Sequence, residues 1–139
     1  MPPIRFFSEQ INFRLPTPRK TSNWIKHTII AEEGQLSELS FIFCTDEYLR
    51  NINIQYLNHS TYTDIVTFDT SEESGIIQGD VFISVDRVKE NAFKLGTEFD
   101  TELHRVIIHG VLHLLGYSDK KAVNKRQMRE KEDAYLSLR

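Results

Sequence analysis

With 139 residues, 40% of them hydrophobic and 27% charged, the chain has the size of one globular domain with a real core and is too short for two comfortable ones. No run approaches the length needed to span a bilayer, and the opening Met1-Pro2-Pro3-Ile4-Arg5-Phe6-Phe7 lacks a signal-peptide core and cleavage site, so the expectation is one cytoplasmic domain over residues 1–139. The formal net charge of −3 does not advertise a nucleic-acid binder, but the charges are unevenly spread. Between Asn51 and Asp86 there is no Lys or Arg, whereas Lys120, Lys121, Lys125, Arg126, Arg129, Lys131 and Arg139 crowd the C-terminal part and Arg5, Arg14, Arg19, Lys20 and Lys26 the N-terminal part. A polyanion would bind near those ends. The other reading of the late cations is a solvated helix face, since Glu130, Glu132 and Asp133 are interleaved with them.

Ile4 to Phe7 reads as a short strand. Pro16 and Pro18 introduce a helix running to about Glu33, with Gly34 as its stop and Trp24, Ile25, Ile29 and Ile30 on its apolar side. Leu39 to Cys44 reads as a buried strand, in which Cys44 is a small hydrophobe rather than a nucleophile. Thr45, with Asp46 and Glu47 behind it, opens a second helix through about Leu57. Polar residues from Asn58 to Thr63 lead to a strand at Ile65–Phe68, a turn at Thr70–Gly75 and a strand at Gly79–Ser84, the last two strands pairing as a hairpin. Ser84 caps a helix from Val85 to Leu95 that Gly96 ends. Thr97 starts the next helix, and Ala122 to Leu138 makes the last. The order β, α, β, α, β, β, α, α, α predicts an α+β single domain: a mixed four-stranded sheet with about five helices, the one beginning at Thr97 being central.

That central helix carries the chemistry. In His109-Gly110-Val111-Leu112-His113-Leu114-Leu115-Gly116-Tyr117-Ser118-Asp119 two imidazoles stand four residues apart, within about 40° of one direction at 100° per residue. Leu103, Val106, Ile107, Ile108, Val111, Leu112, Leu114 and Leu115 surround the helix with apolar side chains, the pattern of a buried helix. Gly116 lets the chain leave the helix and turn back, so that Asp119 can reach the same ion as His109 and His113. Zinc takes His nitrogen and Asp oxygen, and three protein ligands leave one tetrahedral position open for water or substrate. Asp119 also has a purely local reading, as turn and N-cap of the last helix. A zinc protease of the H-E-x-x-H type carries its general base where this chain has Gly110, and Glu102 lies about 10 Å before His109 along the helix, too far to replace it. No residue is assigned as the catalytic base. Of the other histidines, His104 points away from His109 and His113, His27 reads as a surface or boundary residue, and His59 is a reserve candidate for substrate contact. Tyr56 and Phe68 read as core rather than as stacking platforms.

The run from His109 to Tyr117 resembles the signature of the bacterial YbeY family, single-domain metal-dependent endoribonucleases of ribosomal RNA maturation. Asn53-Ile54-Gln55-Tyr56, Thr63-Asp64-Ile65-Val66-Thr67-Phe68 and Gly79-Asp80-Val81-Phe82-Ile83-Ser84 resemble its other blocks, so the similarity covers about Leu39 to Leu138. The resemblance implies a zinc-dependent single-strand endoribonuclease, with one Zn²⁺ per chain at His109, His113 and Asp119, acting on ribosomal RNA of the small subunit at the 16S 3′ end, as a monomer without membrane contact. Two positions depart from the family pattern. Asp119 stands where the third ligand is usually histidine, which should leave a bound water less acidic. Leu57 stands where a basic residue is usual after the tyrosine matching Tyr56. Two other readings stay open: a metzincin-like peptidase, from the His-x₃-His-x₂-Gly-x₂-Asp spacing, and a non-catalytic metal-stabilised module that docks on the ribosome.

Overall fold

Residues 3–139 are described by a computed structural model, in which local chemistry sets most element boundaries. The elements are β1 (Ile4–Glu9), α1 (Pro18–Ala31), β2 (Gln35–Cys44), α2 (Asp46–Leu57), β3 (Ile65–Asp69), β4 (Ile76–Ser84), α3 (Val85–Leu95), α4 (Phe99–Leu114) and α5 (Ala122–Leu136). Thr45 caps α2 by accepting the Tyr48 N–H at 3.1 Å, and Ser84 caps α3 by accepting the Arg87 N–H at 3.1 Å. Gly96 ends α3 in the left-handed region.

Several boundaries differ from expectation. The left-handed residue after α1 is Glu33, at φ 63°, not Gly34; a Cβ on Gly34 would lie 2.8 Å from Leu115 Cδ2, so that glycine answers to close packing rather than to backbone twist. The central helix begins at Phe99 after Glu98 as N-cap, not at Thr97. β2 and β4 start earlier than their apolar runs, because Gln35 pairs with Ile76 and Glu38 with Gln78 in a ladder that polar residues can extend.

The sheet order is β1-β2-β4-β3, parallel across its first three strands and antiparallel between β4 and β3, as the hairpin demanded. Its two faces follow the period-2 alternation. Leu39, Phe41, Phe43, Val81 and Ile83 turn into the main core with Trp24, Ile25 and Ile29 of α1 and with Leu103, Ile107, Ile108 and Val111 of α4. Val66 and Phe82, opposite one another in the hairpin, turn the other way and meet Leu49 and Tyr48 of α2. Ile30, expected on the apolar side of α1, is instead exposed, since one step of 100° from buried Ile29 carries it into solvent. Tyr56, expected in the core, is 61% exposed and touches Phe68 only edge-on at the sheet margin. Cys44 is buried as expected, its thiol donating to the Ile83 carbonyl; burial pushes its pKa up to about 12, which keeps it an inert thiol.

α4 crosses this assembly as its most enclosed helix, and Gly110 sits where it presses on the sheet. A Cβ there would fall 2.9 Å from Ile65 Cδ1 and 3.1 Å from Val81 Cγ1. That close approach fixes which side of α4 remains free to carry polar groups.

Candidate metal centre

The free side of α4 presents His109 and His113, with ring centroids 4.5 Å apart and planes at 84°. Beyond the helix the Gly116 backbone, at φ 108°, takes a conformation that side chains disfavour, and the Tyr117 N–H reaches back to the Leu112 carbonyl at 3.0 Å. The chain therefore reverses and brings the Asp119 carboxylate over both rings. Its Oδ2 lies 3.3 Å from His109 Nε2 and 3.4 Å from His113 Nε2. One ligand atom from each of the three residues falls within 4.8 Å of the other two, so the group can hold a metal ion. Asp119 does not cap α5: the N-cap position is Lys121, without a side-chain bond.

The second nitrogen of each ring is already engaged. His109 Nδ1 meets Glu132 Oε2 of α5 at 2.6 Å, and His113 Nδ1 meets the Tyr117 carbonyl at 3.0 Å. Carboxylate and carbonyl oxygens only accept, so both Nδ1 atoms donate, which leaves Nε2 of each ring as the nitrogen that faces Asp119 and can bind a metal. Two ring nitrogens and a carboxylate oxygen thus converge on one point, an arrangement that a cation stabilises.

Beside the cluster a cavity of about 310 Å³ extends along α4. Its wall sets Asp64, Glu102 and Glu132 against Arg105 and Arg129. Burial pushes the Asp64 carboxyl above the usual range, against the pull of His109, and burial together with Asp64 does the same to Glu102. For His109, burial favours the neutral ring but is outweighed by the hydrogen bond and charge of Glu132, with Asp119 and Asp64 adding to them, so its pKa is raised. The two carboxyls are thus raised mainly by burial, whereas the imidazole is raised against its burial by the carboxylates around it.

The structure brings His109, His113 and Asp119 together and leaves the other histidines elsewhere. His104 is buried on the far side of α4, bonded to the Asp100 carbonyl at 2.7 Å and stacked obliquely on Trp24. His27 is exposed, and exposed His59 lines a separate groove with Asn53 and Leu57. Glu102, two turns before His109, reaches the cavity wall. Glu132 and Asp64 were not foreseen as members of this site. Glu132 was read among the charges of a solvated helix face, yet it is 5% exposed. The signal was its spacing: Met128, Glu132 and Tyr135 follow one another at four and three residues, which places a carboxylate on the buried stripe of α5.

A family model described as "Endoribonuclease YbeY" matches residues 6–138. Among curated relatives, the Endoribonuclease YbeY of Cytophaga hutchinsonii is 48% identical, covering 98% of this chain and 95% of its own length. That of Amoebophilus asiaticus is 44% identical over 96% of this chain and 90% of its own. Among solved structures, the solution structure of TM1509 from Thermotoga maritima is similar with a TM-score of 0.69 and 26% identity, over 96% of this chain and 87% of that one.

Proposed function

This chain belongs to the YbeY family of endoribonucleases, and from that premise we propose that it is a zinc-dependent endoribonuclease holding one Zn²⁺ per chain at His109, His113 and Asp119. The observation that carries the metal reading is the convergence of two Nε2 atoms on a single Asp119 oxygen while both Nδ1 atoms are spoken for. The 3.3 and 3.4 Å separations match the edge of a tetrahedron with bonds of about 2.0–2.1 Å, and His₂Asp is a donor set that zinc accepts. Zinc bound there supplies Lewis acidity toward a phosphoryl oxygen and lowers the pKa of a water molecule.

The chain's own groups complete the reading. Asp119, with its side chain 42% exposed, leaves the centre open to a large substrate. Arg129 stands in the cavity wall without an ion pair among the described residues, and its guanidinium suits a backbone phosphate. Asp64 and Glu102 keep their protons to higher pH than ordinary carboxyls, so they are the acids the wall offers for proton transfer, although neither is assigned as the base. The substrate we infer is single-stranded ribosomal RNA of the small subunit at the 16S 3′ end, cleaved in the cytoplasm by a monomer; the family resemblance supports this part. No helix among the described residues is long and apolar enough to cross a membrane.

Incubating the purified protein with Zn²⁺ and an RNA carrying the single-stranded 16S 3′ segment tests the proposal. Cleavage should occur and be lost in His113→Ala with an unchanged circular dichroism spectrum. Casein cleavage would instead establish the peptidase reading, and RNA binding without cleavage by a nuclease-free preparation would leave the docking module.

A further inference from the structure

α5 contributes none of the three candidate ligands, yet its Glu132 is the group that grips His109. Oε2 of Glu132 accepts from His109 Nδ1 at 2.6 Å, while Oε1 accepts from Arg105 Nη1 at 2.9 Å. Arg105 is itself held from the other side by Asp133 Oδ1, at 2.7 Å. Each oxygen of a carboxylate whose side chain is 7% exposed thus has its own charged or polar partner, and the two partners lie one turn apart on α4. Joining two helices does not call for this chemistry, because a buried ion pair contributes little more than well-packed apolar side chains of the same volume. What the carboxylate adds is direction. It fixes the proton of His109 on Nδ1, fixes the ring plane, and makes Nε2 a more basic donor toward the point where the Asp119 oxygen and His113 Nε2 also aim.

We propose that Glu132, locked by Arg105, is the positioning residue of the metal centre, setting the tautomer and orientation of His109 so that metal affinity depends on the docking of α5 against α4. The inference rests on the reading of His109 as a ligand. It makes Glu132 a residue whose loss is felt in metal binding as well as in the fold.

The test compares wild-type protein, Glu132→Gln and His109→Ala for Zn²⁺ affinity, by competition with a chromogenic chelator, and for the thermal midpoint of the metal-free protein. Glu132→Gln keeps the length of the side chain and one accepting oxygen but removes the charge. It should weaken Zn²⁺ binding about 10–100-fold, the usual range for such a partner, in protein whose metal-free form still unfolds cooperatively, at a midpoint lowered by the loss of the Arg105 ion pair. If the amide variant does not fold, Glu132→Asp, which keeps the charge but shortens the reach, should weaken binding in the same assay. Wild-type affinity in the folded Glu132 variant, with the site lost in His109→Ala, would overturn the positioning role alone. Wild-type affinity in His109→Ala would overturn the ligand assignment and this inference with it.

Discussion

Gly110 stands where a zinc protease of the H-E-x-x-H type carries its general base. The residue after the first histidine of the motif faces the sheet, where a Cβ would already crowd Ile65 Cδ1 at 2.9 Å and Val81 Cγ1 at 3.1 Å. A glutamate placed here would drive its carboxyl between α4 and the β3–β4 hairpin rather than into the cavity beside His109. Gly110→Glu should therefore destabilise the protein by about 3 kcal/mol or more, through overpacking and an unpaired buried acid, and should confer no casein cleavage. The urea midpoint reads this directly, and an unshifted midpoint would show that the helix has slack against the sheet. The glycine was visible in the sequence as an absent base; that there is no room for one is a property of the packed hairpin.

The last helix shows how one element ties distant parts of the chain together. Besides Glu132, α5 carries Lys131 and Tyr135, which with Tyr117 surround the Glu32 carboxylate at the end of α1. Tyr117 Oη donates at 2.5 Å and Lys131 Nζ at 3.0 Å, and the Tyr135 hydroxyl donates as well. Burial alone would raise the Glu32 pKa, but these donors and the Lys131 charge outweigh it and hold the carboxyl below its ordinary value of 4.5. A carboxyl with a depressed folded pKa contributes stability that is complete above the unfolded value and is lost as pH falls through the folded one. Thermal midpoints of wild type and Glu32→Gln should differ near neutral pH and converge as pH drops below about 4.5. A gap that persists at low pH would mean that shape rather than charge secures the junction. Because the Tyr117 carbonyl accepts from His113, the same junction also steadies the second imidazole. None of this was legible in α5 read alone, where alternating cations and acids resemble a solvated surface. Its buried stripe mixes Met128 with Glu132 and Tyr135, so hydropathy understates it.

For the whole molecule, metal binding and folding are linked, since the three candidate ligands come from α4 and the loop after it and meet only in the native chain. An ion that binds the folded state alone stabilises it by about 2.7 kcal/mol at one hundred times the dissociation constant. The thermal midpoint should rise with added Zn²⁺ and fall back with a chelator. In Asp119→Ala that rise should shrink and the zinc content measured by elemental analysis should drop, with a nearly native circular dichroism spectrum; unchanged zinc would remove Asp119 from the ligand set. The sequence by itself determined the element order, the hairpin, the caps at Thr45 and Ser84, the buried character of α4 and the pairing of His109 with His113. All of these follow from period, capping chemistry and spacing along a few turns of chain. Tertiary structure alone decided that Tyr56 lies in the open, that Gly110 is pressed against the sheet, and that Glu132, Arg105, Asp64 and Arg129 share a cavity with His109. Those residues lie up to 68 positions from one another, between Asp64 and Glu132, and only the packing of α4 between the sheet and α5 gathers them around one cavity.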